Sequence, residues 1–287
     1  MDAPPDKEDS RPFVRIASWL QDMKLNAPRV IEADLAKGFL LLTDLGSIQY
    51  LAALEEDRQR SDVLYSDAID ALVRMQNEGA RIHAELPSYD NNLLRFEMSL
   101  FSDWLCGTHL GIELTAVEQR EWISICDLLV ANAEDQPYVF VHRDFHSRNL
   151  MLVNENNPGI LDFQDAVSGP YTYDLVSLLK DCYISWPEGA VSNWALSFYR
   201  QRQEALGTSI DEKTFMRHFE LMGVQRQLKA AGIFARLNHR DNKPLYMLDI
   251  PRTLNYIQAI ADRYDELAFL NALISDRILP NLAEAGA

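Results

Sequence analysis

The chain has 287 residues, 47% of them hydrophobic and 24% charged, enough for one large or two modest globular domains and unlike a disordered tail or a fibre. With 43 acidic against 27 basic residues the formal charge is -16, so a nucleic acid would meet a repulsive field and is not expected as a partner. The three cysteines, Cys106, Cys126 and Cys182, are odd in number and show no Cys-x-x-Cys pairing, which excludes a disulfide framework or a zinc cage and predicts buried thiols.

The start, Met1-Asp2-Ala3-Pro4-Pro5-Asp6, lacks a basic segment followed by an apolar one. No later window reaches about 18 uninterrupted apolar residues, so the expectation is a cytoplasmic protein that meets no membrane. From Lys7 to about Met23, Phe13, Ile16, Ala17, Leu20 and Met23 recur at helical spacing behind Asp9, Ser10 and Pro12, predicting an amphipathic helix. Arg29-Val30-Ile31 and Phe39-Leu40-Leu41-Leu42 flank Gly38 and predict a hairpin. From residue 46 to about Asn132 the pattern is helical, through Ile69–Gln76, Leu93–Trp104 and Trp122–Leu129, with Gly107–Gly111 read as a loop. Three β-like runs follow, Tyr138–Val141, Leu150–Val153 and Gly159–Leu161. Helices then resume through Leu175–Leu179, Trp194–Tyr199, Phe215–Phe234 and Leu254–Leu270. The expected class is α+β, with a short strand-loop insert at about 138–165 in a mostly helical chain.

That insert carries the densest polar run, His142-Arg143-Asp144-Phe145-His146-Ser147-Arg148-Asn149, between two apolar strands. Ile160-Leu161-Asp162-Phe163-Gln164-Asp165 ends the next run with a carboxylate. A polar loop between buried strands is a rigid platform for catalytic groups, and Asp144, Asn149 and Asp162 offer oxygen atoms to a hard cation. His142 and His146 flank Asp144 in a loop and have no third ligand, which argues against zinc. No Gly-x-Ser-x-Gly elbow is present, which argues against a hydrolase.

The order His-Arg-Asp, then Asn five positions after the Asp, then Asp-Phe one hairpin later resembles that of protein-kinase-like phosphotransferases. Asp144-x-His146-x-x-Asn149, Ile160-Leu161-Asp162-Phe163-Gln164-Asp165 and Gly169-Pro170-Tyr171-Thr172-Tyr173-Asp174-Leu175 are similar to the aminoglycoside phosphotransferase and choline kinase superfamily. Leu41-Leu42-Thr43-Asp44-Leu45-Gly46, Gln225–Lys229 and Arg240–Lys243 resemble its bacterial anomeric sugar kinases, which act on N-acetylmuramate and N-acetylglucosamine in cell-wall recycling. The resemblance implies a protein-kinase-like two-lobe fold, with residues 1–45 as a truncated N-terminal β lobe and 46–287 as a mostly helical C-terminal lobe. It implies ATP and Mg2+, Asp144 as the catalytic base, Asn149 and Asp162 as metal ligands, and Thr43, Asp44 and Leu45 as the hinge that meets adenine. Asp174 would tie the catalytic loop back by hydrogen bonds, and Asp165 would cap the following loop or, as the alternative, support the metal from behind its ligands. Other hydroxyl acceptors (an aminoglycoside, choline or homoserine) and a non-catalytic binding module are the alternatives.

One departure stands out. Kinases of this type open with a hairpin that covers the phosphates and a strand that often supplies a lysine. Here no two glycines fall within four positions before Gly107, and Lys7 follows two prolines. The first residues resemble the end of the third strand, so the expectation is a start assigned too late and weak nucleotide binding by the chain as written. For the acceptor, Glu97, Phe101 and Trp104 fall on one helical face, a carboxylate beside aromatic rings that suits a sugar. Arg240, in the cluster from Arg236 to Asp241, would either meet a lactyl carboxylate or hold the helical lobe together by ion pairs.

Overall fold

The computed structural model describes residues 1–6, 8–206 and 210–284; Lys7, where the first predicted helix begins, lies outside them. Helix α1 spans Arg11–Asp22. Asp9 fixes its start by accepting the Arg11 N–H at 3.0 Å, and Pro12 sits in the first turn, where the absent N–H has no partner to lose. Phe13, Ile16, Ala17 and Leu20 form its buried stripe. Strands β1 (Val30–Asp34) and β2 (Phe39–Leu42) pair antiparallel. Gly38 turns between them at φ +76°, and a Cβ there would meet the Ala3 carbonyl oxygen at 2.0 Å, so the turn and the close approach both need glycine. The first residues run along β2, with Ala3 N–H donating to Gly38 O at 2.9 Å and Leu40 N–H to Met1 O at 3.1 Å.

Helices α2 (Tyr50–Glu56), α3 (Ser61–Glu78), α4 (Asn91–Leu100) and α5 (Ala116–Glu134) occupy the predicted helical stretch. Asp90 caps α4 by accepting the Leu93 N–H at 2.9 Å, and Thr115 and Glu118 form a reciprocal capping box on α5. Helix α4 continues as π-helix over Phe101–His109. Gly107, Thr108 and His109 are therefore helical rather than in the expected loop, and the turn comes at Gly111, φ +62°. Burial of Phe101, Leu105 and Cys106 holds the wide turns despite the weak propensity of the segment's end.

Strands β3 (Tyr138–Val141), β4 (Leu150–Met151) and β5 (Gly159–Ile160) fall on the three predicted runs. A further strand, β6 (Val167–Pro170), has no counterpart in the sequence pattern, because Ser168-Gly169-Pro170 carries no β signature. It pairs antiparallel with β3 and is buried along its whole length, so tertiary packing overrides local preference. Helices α6 (Tyr173–Leu179), α7 (Glu188–Leu206), α8 (Glu212–Asp241), α9 (Ile250–Ala261), α10 (Ala268–Leu273) and α11 (Leu279–Glu284) complete the described chain. The run Leu254–Leu270, predicted as one helix, divides between α9 and α10.

Contacts within the chain define two units. Met1–Ser88 with Tyr138–Glu212 form the first, and Tyr89–Pro137 with Lys213–Ala287 the second. The first unit holds all three strand ladders; the second is helical and brings α4, α5 and α8 together. In the second, a Cβ on Gly232 would meet the Leu100 carbonyl carbon at 2.3 Å, so α8 runs backbone to backbone against the end of α4. Among the described residues no helix is long and apolar enough to cross a membrane.

Candidate active site

The loop between β3 and β4 is shaped by two buried carboxylates that follow it in the chain. Asp174, in the first turn of α6, is fully buried. It accepts the His142 N–H at 2.6 Å and the Arg143 N–H at 2.9 Å. Two successive amides converge on one carboxylate because Arg143 adopts a left-handed backbone, φ +78°. Ser177 Oγ, one turn further along α6, donates to the Arg143 carbonyl at 3.2 Å. Asp181, 1% exposed, holds the loop's second half by accepting Ser147 N–H at 3.0 Å and Ser147 Oγ–H at 2.5 Å. Its other oxygen accepts the Tyr183 N–H at 2.9 Å. The expected tie from Asp174 is thus present, and Asp181 adds a second that sequence reasoning missed. Asp181 stands two residues past the end of α6, and nothing in its own neighbourhood points back to Ser147.

Between the ties lies Asp144, half-buried, its N–H donating to His142 Nδ1 at 3.3 Å. Burial pushes His142 down to about 4, while the charges of Asp144 and Asp162 oppose the shift. The ring is therefore a neutral acceptor that orients the Asp144 backbone. Asn149 turns back on the same loop, its Nδ2 donating to the Asp144 carbonyl at 3.0 Å and to Asp162 Oδ2 at 3.2 Å. Leu161 N–H donates to the Asn149 carbonyl at 2.9 Å, so the two segments are laced together along the chain. Asp162 is in the left-handed region, φ +62°, exposed, and receives Gln164 Nε2 at 2.9 Å on its other oxygen. Phe163 beside it is fully buried and stacks on Phe13 of α1, ring centroids 4.7 Å apart. Asp165 is exposed and forms no capping hydrogen bond among the described residues. The side chains of Asn149 and Asp162 thus lie within one ion's span, and a carboxamide oxygen with a carboxylate is a donor set that suits magnesium. Among the described residues no group of three or more His, Cys, Asp or Glu side chains could by itself hold a metal ion.

Thr43, Asp44 and Leu45 line one wall of a cleft of about 550 Å³, together with Gln21, Lys24, Asn26, Arg29 and Glu155. Asp144, Asn149 and Asp162 do not line it. Thr43 is paired with Arg29 in both directions, N–H to the carbonyl at 3.0 Å and Oγ1 from the Arg29 N–H at 2.9 Å. Asp44 Oδ1 accepts the Gly46 N–H at 2.9 Å.

The residues expected to meet an acceptor belong to the second unit. Glu97 is 2% exposed. Its carboxylate pairs with Lys229 Nζ of α8 at 3.0 Å and accepts from the Tyr89 hydroxyl and from Gln225 Nε2, the last at 3.4 Å. Phe101 is buried and stacks on Trp122 at 5.6 Å; Trp104 is half-buried in the π-helical stretch. Arg240 is exposed and forms a forked pair with Asp241, Nε to Oδ1 at 3.0 Å and Nη2 to Oδ2 at 2.8 Å.

The sequence pattern of the phosphotransferase enzyme family matches residues 1–219 of this chain. The chain belongs to that family. Within it, the chain is 47% identical to the N-acetylmuramate/N-acetylglucosamine kinase of Pseudomonas aeruginosa, over 99% of this chain and 82% of the relative. It is 43% identical to the kinase of the same name from Neisseria meningitidis, over 100% of this chain and 85% of that protein. Solved structures give the fold. The GDP complex of aminoglycoside 2'-phosphotransferase-IIIa matches at a TM-score of 0.57 and 17% identity, covering 89% of this chain and 83% of that one. A Plasmodium vivax ethanolamine kinase matches at 0.55 and 12%, covering 86% and 71%. The architecture is the α+β protein-kinase-like one, and the chain is a phosphotransferase.

Proposed function

We propose that this protein transfers the γ-phosphate of ATP to the anomeric hydroxyl of N-acetylmuramate or N-acetylglucosamine, in the recycling of cell-wall sugars. The names of its relatives support the acceptor. The observation that carries the chemistry is the 3.2 Å contact of Asn149 with Asp162, on segments laced to the loop of Asp144. In this reading the sugar hydroxyl attacks the γ-phosphorus, its proton passes to the Asp144 carboxylate, and the bond to the ADP oxygen breaks. Asn149 and Asp162 would hold a magnesium ion, whose chemistry is neutralisation of charge on the phosphate oxygens. Thr43, Asp44 and Leu45 would meet adenine through the main chain. Trp104 would offer its ring to the C–H face of the sugar. Glu97 would act from within its pair with Lys229, and Arg240 would reach a carboxylate only by releasing Asp241.

The test is turnover with magnesium and ATP across a panel of N-acetylmuramate, N-acetylglucosamine, kanamycin, choline and homoserine, with the phosphorylated product identified by mass and by its anomeric phosphorus resonance. Sugar 1-phosphates are expected. Turnover confined to kanamycin, choline or homoserine would refute the assignment.

A further inference from the structure

In a chain of net charge -16, some arginines stack on an aromatic ring without a carboxylate, Arg58 on Trp186 among them, and others pair with a carboxylate. Arg217, Arg252, Arg263 and Arg277 of the second unit each pair with one, as does Arg240. Arg148 does not: among the described residues its guanidinium has no carboxylate partner. It lies instead 3.5 Å from the centroid of the Tyr183 ring, half-buried. Stacking covers the flat face of a guanidinium and leaves its N–H groups, which lie in the plane, directed outward. Those donors match the two oxygens of a carboxylate. The support is rigid, because one buried carboxylate, Asp181, binds both the backbone of Ser147 next to Arg148 and the backbone of Tyr183 under it. His146 also packs on Tyr183, edge to face with ring centroids 5.4 Å apart. A cation fixed in advance loses little freedom when an anion arrives.

Arg148 follows Asp144 by four positions and precedes Asn149 by one. We infer that Arg148 is a specificity-determining residue that receives the carboxylate of an anionic acceptor. The inference rests on the proposed function and deepens it. N-acetylmuramate carries a lactyl carboxylate that N-acetylglucosamine lacks, so an arginine held for a carboxylate favours the first sugar and ignores the second. Arg240 is the weaker candidate for this role, since its fork is already filled by Asp241.

The test compares kcat/KM for the two sugars, and KM for ATP, in the full chain and in Arg148→Gln and Arg148→Lys. Loss of a charge-assisted, forked pair predicts a fall of about 30-fold for N-acetylmuramate in Arg148→Gln. Arg148→Lys keeps the charge without the fork and should fall about 5-fold. N-acetylglucosamine turnover should stay within about 3-fold in both, which also reports that the variants are folded, and KM for ATP should not move. An equal fall for both sugars, no fall for either, or a rise in KM for ATP that marks a phosphate contact would overturn the inference. So would loss of the sugar preference in Arg240→Gln with its retention in Arg148→Gln. A wild-type chain that phosphorylates neither sugar would overturn the proposed function itself, a result distinct from the others.

Discussion

The catalytic loop and the interior around Glu97 both bury carboxylates, and they use them in opposite ways. Asp174 and Asp181 accept amide and hydroxyl hydrogens in the bonds that shape the loop. Their charge fixes backbone geometry and leaves Asp144, Asn149 and Asp162 open to solvent. Glu97 instead faces the ammonium of Lys229 between two helices, where charge is balanced by charge and the donors Tyr89 and Gln225 complete the shell. A carboxylate that organises amides is valuable for where it points. One that balances a cation is valuable for its charge, and a well-packed apolar pair can often replace both members.

The largest effect expected lies at the group that the first arrangement exposes. Asp144→Asn should lower turnover about 1,000-fold, with sugar KM nearly unchanged and no shift in thermal midpoint, since it removes the proton acceptor and preserves shape. Near-normal turnover in that variant would exclude base catalysis at Asp144. Next in size is the charge-balanced pair. Glu97→Met should cost about 3–5 kcal/mol in urea unfolding by stranding Lys229, whereas Glu97→Met with Lys229→Met should recover most of that loss. If the double variant is stable but fails with both sugars, Glu97 contacts the acceptor; if it turns them over normally, the pair is purely architectural.

Asp181→Ala comes third. It leaves the buried Ser147 donors without an acceptor and should cost about 2 kcal/mol. Turnover should fall more than stability requires, because Asn149 loses its support; equal kcat in a folded Asp181→Ala chain would break the contrast drawn here. The smallest effect concerns the thiols. All three cysteines are buried, and burial pushes Cys106 and Cys126 up to about 12. At pH 8 the thiolate fraction at both is minute, so iodoacetamide should label the folded protein slowly and the urea-unfolded protein fast, followed by mass spectrometry.

The sequence made the strand-loop insert legible because its signals are local: apolar runs, a dense polar segment and an ordered spacing of His142, Asp144, Asn149 and Asp162. The tie from Asp174 was legible only through resemblance to a family. What stayed hidden depends on distant partners. Strand β6 exists because β3 lies beside it, and Asp181 matters because of Ser147, 34 positions earlier. Glu97 reads as an open contact until Lys229 of α8 is placed against it. A face shared by Glu97 and Trp104 requires 3.6 residues per turn throughout, and the π-helical stretch from Phe101 changes that phase. Arg148 has no sequence signal, because its stacking on Tyr183 over the Asp181 tie appears only in three dimensions.

Both shaping carboxylates come after the loop they shape, by 32 positions for Asp174 and His142 and by 34 for Asp181 and Ser147. On the ribosome, the segment 142–149 therefore emerges before either of its anchors. A nascent chain that ends short of Asp181 lacks the acceptor for both Ser147 donors, so the loop gains its last tie only after the residues beyond α6 have been made.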